Sequence, residues 1–214
     1  MSVKISPSVL TADFLDLKKD IEKLEKSGVD MLHLDVMDGI FVPNISFGVP
    51  VIKSIKKYST VPLDVHLMID RPHRYIKEFA GVADILGFHY EAGSDVAETL
   101  KEIKSYGIKT CLTIKPKTKA EEIFEFLPLC DMVLVMSVEP GFGGQSFMPS
   151  ALPKLEALRK ECDRRRLYVD LEVDGGINGE TAELAVKAGA NVLVAGSYLF
   201  SDKMEENVAY LKSL

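Results

Sequence analysis

Eight short apolar runs, rich in β-branched and aromatic residues, punctuate the chain: VKISPSVL, MLHLDVM, PLDVHLM, DILGFHY, KTCLTIK, MVLVMSV, YVDLEVD and NVLVAG. Each reads as a buried strand. The segments between them have helical period. In DFLDLKKDIEKLEKSG, Phe14, Leu17, Ile21 and Leu24 fall three or four apart, and Gly28 is the stop. SDVAETLKEIKSYG repeats the design, with Ser94 or Asp95 as N-cap and Gly107 as stop. NGETAELAVKAGA does so again before the last run. Strict alternation of strand and helix predicts parallel strands joined by crossover helices. Eight such units favour an α/β chain closed as a single-domain (β/α)8 TIM barrel over residues 1–214, rather than an open doubly wound sheet. There is no proline- or serine-rich linker to divide it.

The second run breaks the apolar pattern. In HLDVMDGIFVPN, His33 and Asp35 are two apart and so share one face of a strand. Polar residues recur near other strand ends: Ser6 and Ser8, His66, His89 and Glu91, Glu139, and Asp174. In a (β/α)8 barrel the working residues sit at those carboxyl ends. Ringed there, His33, Asp35, His66 and Asp174 make a two-histidine, two-carboxylate set. Such nitrogen and oxygen donors suit Zn2+, Fe2+, Mn2+ or Co2+ better than Mg2+ or Ca2+. Taken singly, an interior histidine is ordinarily a packed core residue and Asp174 a helix N-cap; four compatible residues at three strand ends point to a metal. Met37, Met68 and Met136 fit a soft apolar pocket floor, or plain core.

Three rim loops are rich in glycine. EPGFGGQSF, from Glu139 to Phe147, can approach a ligand closely or move as a lid. DGGIN and AGS lead toward helices, so backbone N–H groups of Gly175, Gly176, Gly196 and Ser197 are candidates to cradle a phosphate. Tight turns would explain one such pair more easily than three loops on one rim.

Charge removes some classes of partner. The net charge is −6, from 26 basic and 32 acidic residues. Basic residues form no stripe, which argues against nucleic acid. The densest cluster, RKECDRRR from Arg159 to Arg166, contains acids too and reads as the solvated end of a helix. No window reaches the roughly 18 unbroken apolar residues of a membrane span. Cys111, Cys130 and Cys162 are odd in number and lack metal spacing, and the first residues lack a leader's apolar run. A reducing, cytoplasmic setting is expected.

KISPSVL, HLDVMDGIFVPN, DVHLMI, FHYEA, VMSVEPGFGGQSF, EVDGGIN and VAGSYLF, in this order from Lys4 to Phe200, resemble the ribulose-phosphate 3-epimerase family. The resemblance implies interconversion of D-ribulose 5-phosphate and D-xylulose 5-phosphate at carbon 3. It implies one divalent metal on His33, Asp35, His66 and Asp174, with Asp35 and Asp174 exchanging the carbon-3 proton. Ser8, His66, Gly141, Phe142, Gly143, Gly144, Asp174, Gly175, Gly176, Gly196 and Ser197 match positions that bind the phosphosugar. The chemistry calls for such a set, because proton removal beside a ketone makes an enediolate whose charge needs a Lewis acid. Inversion needs an acid/base group on each face. A homo-oligomer is the expected state, its order left open.

The chain departs from the family at Ile40, where histidine is frequent, and at Ser46, where threonine is. Those departures bear on substrate preference, and a six-carbon ketose phosphate such as allulose 6-phosphate is the alternative substrate. Phosphosugar synthases and decarboxylases of related fold carry D-x-K-x-x-D, whereas this chain has Asp35-Val36-Met37-Asp38 with no lysine. Lys115 is the one strand-end lysine for Schiff-base chemistry, and a poor one beside Pro116. A non-catalytic phosphosugar-binding barrel would be free to lose ligands that this chain retains.

Overall fold

Each of the eight apolar runs forms a strand in the computed structural model, which describes residues 2–214. The strands are β1 (Lys4–Pro7), β2 (Leu32–Met37), β3 (Leu63–Met68), β4 (Ile85–His89), β5 (Lys109–Ile114), β6 (Met132–Met136), β7 (Asp170–Asp174) and β8 (Val192–Ala195). They pair in parallel in the order β1-β8-β7-β6-β5-β4-β3-β2. The remaining seam is closed by a parallel bridge between Ser8 and His33. Ile5 O also accepts from the backbone N–H groups of Asp30 (3.0 Å) and Met31 (3.3 Å). The result is a (β/α)8 barrel.

Among the described residues, seven α-helices cover it: α1 (Leu17–Lys26), α2 (Val49–Lys56), α3 (Ile76–Ala80), α4 (Val96–Ser105), α5 (Ala151–Arg165), α6 (Gly179–Lys187) and α7 (Met204–Lys212). The crossover from β5 to β6 is instead a 3-10 helix, Ala120–Leu129, with Pro128 inside it. Proline has no N–H for the i−4 carbonyl, which disfavours a regular α-helical end there. α1 begins later than its apolar spacing suggests. Asp13 Oδ1 accepts from Leu15 N at 2.9 Å, a local turn that competes with helix. Phe14 therefore lies outside the helix, half exposed, edge-on to Phe47 at 5.8 Å. Between the two candidate caps of α4, Asp95 does the capping, accepting from Glu98 N at 2.9 Å. The basic cluster closes α5 at the surface, where Glu161 takes Arg164 (2.7 Å) and Arg165 (2.6 Å). No helix among the described residues is long and apolar enough to cross a membrane.

Alternation along β2 sorts two environments. Leu32, Leu34 and Val36 join the apolar layer between barrel and helices. His33, Asp35 and Met37 point inward and are equally buried. The barrel interior is part apolar, with Ile85, Cys111, Met132, Leu134 and Val192 filling its middle. It turns polar toward β2, β3 and β7.

Candidate active site

Parallel register sets the site. Asp35 on β2 lies beside His66 on β3, and His33 beside Asp64. Met136 on β6 lies beside Asp174 on β7. Inward residues two apart on adjacent strands thus stack as a small array. His33 Nε2 is 3.3 Å from Asp35 Oδ1 and 3.3 Å from His66 Nδ1. His66 Nδ1 is 3.2 Å from Asp35 Oδ1. Donor atoms of His33, Asp35, His66 and Asp174 all lie within 4.8 Å of one another. All four sequence candidates are therefore brought together.

Outer partners orient them. Asp64 Oδ2 takes the Nδ1 side of His33 at 2.6 Å, leaving Nε2 turned to Asp35 and His66. Glu172 Oε1 is 3.7 Å from the same Nδ1. Burial, with the Asp64 charge beside it, holds the Glu172 carboxyl well above the usual range, so it sits there as a neutral acid. Ser8 Oγ donates to Asp35 Oδ2 at 2.8 Å. Ser46 Oγ donates to Asp35 O at 2.5 Å and accepts from Met37 N at 3.0 Å, tying the next loop back onto the strand end. Ile40 points outward, 77% exposed.

The electrostatics fit a cation. Burial works against a charged His33, yet the Asp35 and Asp64 carboxylates hold it well above the ordinary histidine range. Burial likewise opposes ionisation of Asp35, but His33 and His66 outweigh it and hold that carboxyl far below the usual range. The cluster thus draws in a positive charge, and a proton on His33 Nε2 occupies the place a metal would take. Two imidazoles and two carboxylates of this spacing suit a divalent transition metal. Asp174 behaves oppositely to Asp35. Burial and the charge of Asp35 push its carboxyl up to about 7.

Above this cluster opens a pocket of about 680 Å³. Ser8, Asp35 and Asp174 border it, with Met37, Met68 and Met136 as its apolar lining. The loop Gly141, Phe142, Gly143 and Gly144 borders it too, as do Gly175, Gly176, Gly196 and Ser197. His33 and His66 are buried. The glycine loop is braced: Asn44 Nδ2 donates to Gly141 O (2.8 Å), and Gln145 Nε2 donates to Glu139 O (2.7 Å) and Phe142 O (2.9 Å). At Gly176, φ is +65° and a Cβ would fall 2.3 Å from Phe147 N, so only glycine fits there.

The rim differs from expectation in one respect. α6 starts at Gly179, and its cap is Asn178, not Asp174. The Asn178 side chain already accepts from Glu180 N and Thr181 N. α7 starts only at Met204, well past Gly196. Backbone contact from Gly175, Gly176, Gly196 and Ser197 would therefore come from loop turns and not from helix ends. Lys115 is no Schiff-base residue by position, since its Nζ lies 3.7 Å over the Phe41 ring. Asp64 and Glu172 carried no sequence assignment, although each sits two residues before a candidate ligand, inward on the same strand. That spacing was the signal for them.

Residues 4–200 match the model of a family described as the ribulose-phosphate 3 epimerase family. A ribulose-phosphate 3-epimerase of Bacillus subtilis is 45% identical over 200 residues, covering 92% of each chain. One from Synechocystis is 43% identical, covering 94% of this chain and 88% of that one. One from Candida glabrata is 41% identical over 226 residues, covering 97% and 90%. Among solved structures, a 3-keto-L-gulonate-6-phosphate decarboxylase from Vibrio cholerae superposes with TM-score 0.75 at 13% identity, covering 100% of this chain and 97% of that one. A 3-hexulose-6-phosphate synthase gives 0.67 at 18%, covering 100% and 99%. At those identities the likeness is one of fold.

Proposed function

This chain belongs to the ribulose-phosphate 3-epimerase family, and on that premise we propose that it interconverts D-ribulose 5-phosphate and D-xylulose 5-phosphate by passing the carbon-3 proton between Asp35 and Asp174. What supports the reading is geometric: Asp35 and Asp174 both border the pocket, and with His33 and His66 their donor atoms lie within 4.8 Å of one another. Against burial, Asp35 is kept ionised by His33 and His66, while burial and Asp35 hold Asp174 near a pKa of about 7. An inversion needs one group ready to take a proton and a second ready to give one. Asp35 takes the proton from carbon 3 on its own side. Asp174 returns its proton on the other, and the reverse reaction exchanges the roles. Ser8, bonded to Asp35 Oδ2, fixes the carboxylate's plane.

His33, Asp35, His66 and Asp174 are the residues that would hold a divalent ion (Zn2+, Fe2+, Mn2+ or Co2+). Bound there, such an ion supplies Lewis acidity to the substrate's oxygens, an effect that in zinc-bound water lowers a pKa from about 15.7 to about 7. At ~1.36 kcal/mol per unit this is on the order of 12 kcal/mol. Met37, Met68 and Met136 keep the pocket floor apolar and limit water at the reacting carbon. Gly176, Gly196 and Ser197 contact the phosphate through backbone N–H groups, with Gly141, Phe142, Gly143 and Gly144 closing over the sugar. A cytoplasmic setting accords with three cysteines that are buried and unpaired. Assembly into a homo-oligomer rests on the family resemblance alone.

The test is exchange of the carbon-3 proton in deuterated water. Ribulose 5-phosphate should exchange and epimerise, allulose 6-phosphate much more slowly. Faster turnover of the six-carbon sugar would overturn the substrate assignment, and no exchange with either would overturn the reaction.

A further inference from the structure

Behind His66 lies a second line of polar groups, His89 and the half-buried Glu91, that the reaction does not use. His66 Nε2 is 2.9 Å from His89 Nε2, and His89 Nδ1 is 3.4 Å from Glu91 Oε2. His89 is buried completely. Glu91 is held at its other oxygen by Lys115 N (2.9 Å) and by a short bond from the Thr118 hydroxyl. The Phe41 ring covers His89, centroids 4.8 Å apart, and Lys115 Nζ caps Phe41.

We propose that His89 and Glu91 are positioning residues that hold His66 with its single proton on Nε2, so that a proton-free Nδ1 faces His33 and Asp35. The inference rests on the reading of His66 as a metal ligand. Two imidazole nitrogens 2.9 Å apart share one proton, and the question is which ring supplies it. Glu91, already accepting from an N–H and an O–H, is acceptor-only. It therefore places the His89 proton on Nδ1. At 3.4 Å this contact is longer than a good hydrogen bond, so Glu91 acts on His89 as a charge more than as a bonded acceptor. His89 is left with a lone pair at Nε2, and the shared proton is that of His66. The bare Nδ1 of His66 then lies 3.2 Å from Asp35 Oδ1 and 3.3 Å from His33 Nε2. Asp64 does the same for His33 directly, at 2.6 Å. The two histidines thus present different ring nitrogens because their outer partners lie on different sides.

A merely structural role for His89 would not move the tautomer of His66 or its hold on metal. The test uses the full chain, stripped of metal and titrated with Zn2+ against a competing chelator. Long-range proton–nitrogen correlation of the ring nitrogens is recorded on the metal-free protein, where no ion dictates the tautomer. His66 should carry its proton on Nε2. His89→Phe keeps a ring but removes the acceptor, and should weaken Zn2+ binding about 10–100-fold. His89→Gln offers a carbonyl in its place and should recover most of that loss. Glu91→Gln should weaken binding less than His89→Phe. At saturating Zn2+, kcat should return in the variants while affinity does not. A His66 proton found on Nδ1, or unchanged Zn2+ affinity in His89→Phe, overturns the proposal. If that variant does not fold, the tautomer in the unaltered protein decides. Failure of the unaltered protein to take up Zn2+ is a separate outcome, visible before any substitution, and overturns the metal reading together with this one.

Discussion

The two faces of β2, β3 and β7 are both buried, except where Asp174 borders the pocket, and obey opposite rules. Outward, Leu32, Leu34, Val65, Leu67, Leu171 and Val173 pack against helices in one continuous apolar layer. Inward, the same strands carry His33, Asp35, Asp64, His66, Glu172 and Asp174. Burial of the first set drives folding at about 25 cal/mol per Å². The second set costs free energy unless each charge is paired. Where the pairing is incomplete, as at the two unbonded oxygens of Glu172, a neutral acid replaces an ion. Stability and chemistry thus fall on alternate residues of the same strands. A substitution should therefore disturb mainly one or the other.

The largest expected effect is on the inner face. Asp35→Asn or Asp174→Asn keeps shape but removes a proposed proton carrier, and should cost roughly 10²–10⁴-fold in turnover from acid–base loss alone. Stability should not fall with it. Burial and the charge of Asp35 both disfavour an ionised Asp174, so in the metal-free proteins Asp174→Asn should melt at the same temperature as the unaltered protein or higher. The variants should also differ in kind. Provided metal still binds, each retains one base, and the two should prefer opposite epimers for exchange in deuterated water. Near-normal epimerisation by either would sink the two-base scheme. A large loss of melting temperature in Asp174→Asn would break the separation of faces.

The outer face supplies the reciprocal case. Leu67 is fully buried in the outer layer, between His66 and Met68 in sequence. Leu67→Ala should cost about 2–5 kcal/mol through lost burial and a residual cavity. Turnover per folded molecule at low temperature should stay within a few-fold, because the neighbouring side chains face the other way. Denaturant melts and activity of the same samples test this directly. A tenfold loss of kcat with intact fold would show that packing on one face sets geometry on the other.

Metal removal probes the inner face without substitution. Chelation should abolish epimerisation while circular dichroism is almost unchanged, since the outer layer holds the barrel together without it. Unfolding on chelation would mean that the inner cluster is structural as well.

These faces were unequally legible in the sequence. Outer positions announce themselves by apolar periodicity, which is why all eight strands could be read from the chain. The inner histidines and carboxylates were legible as exceptions to that periodicity. Their supports were less so. Asp64 looks like an ordinary polar residue until register sets it beside His33. Asn44 reaches Gly141 across 97 residues, a contact that no local pattern encodes. The 3-10 crossover and the late start of α1 reflect local competition by Pro128 and Asp13, which apolar spacing does not register. At the rim, glycine content was legible, but the capping of α6 by the Asn178 side chain is a local turn that glycine spacing does not show.

The smallest effect concerns Asp38, which stands where β2 gives way to its rim loop and belongs to neither face. Its Oδ1 accepts from Ile40 N (2.8 Å) and Phe41 N (2.9 Å), and its Oδ2 from Asp70 N in the loop after β3 (2.7 Å). Partial burial pushes its carboxyl up, but these backbone N–H groups outweigh it and hold the carboxyl below its ordinary range. A folded value below the unfolded one means that the unfolded chain binds the proton more readily. The stability is therefore fully present above the ordinary aspartate range and is lost as pH falls through the lowered folded value. Asp38→Ala should cost about 1–2 kcal/mol at neutral pH, from donors left without a charged acceptor. The gap between variant and unaltered protein should narrow as the pH is taken down toward the acid limb of the stability profile. Because Phe41 rests on His89, a loosened loop should also weaken metal binding slightly, though less than His89→Phe does. Denaturant melts at neutral and acid pH check the first point. A gap of equal size at both would mean that Asp38 stabilises the loop by packing and not by charge.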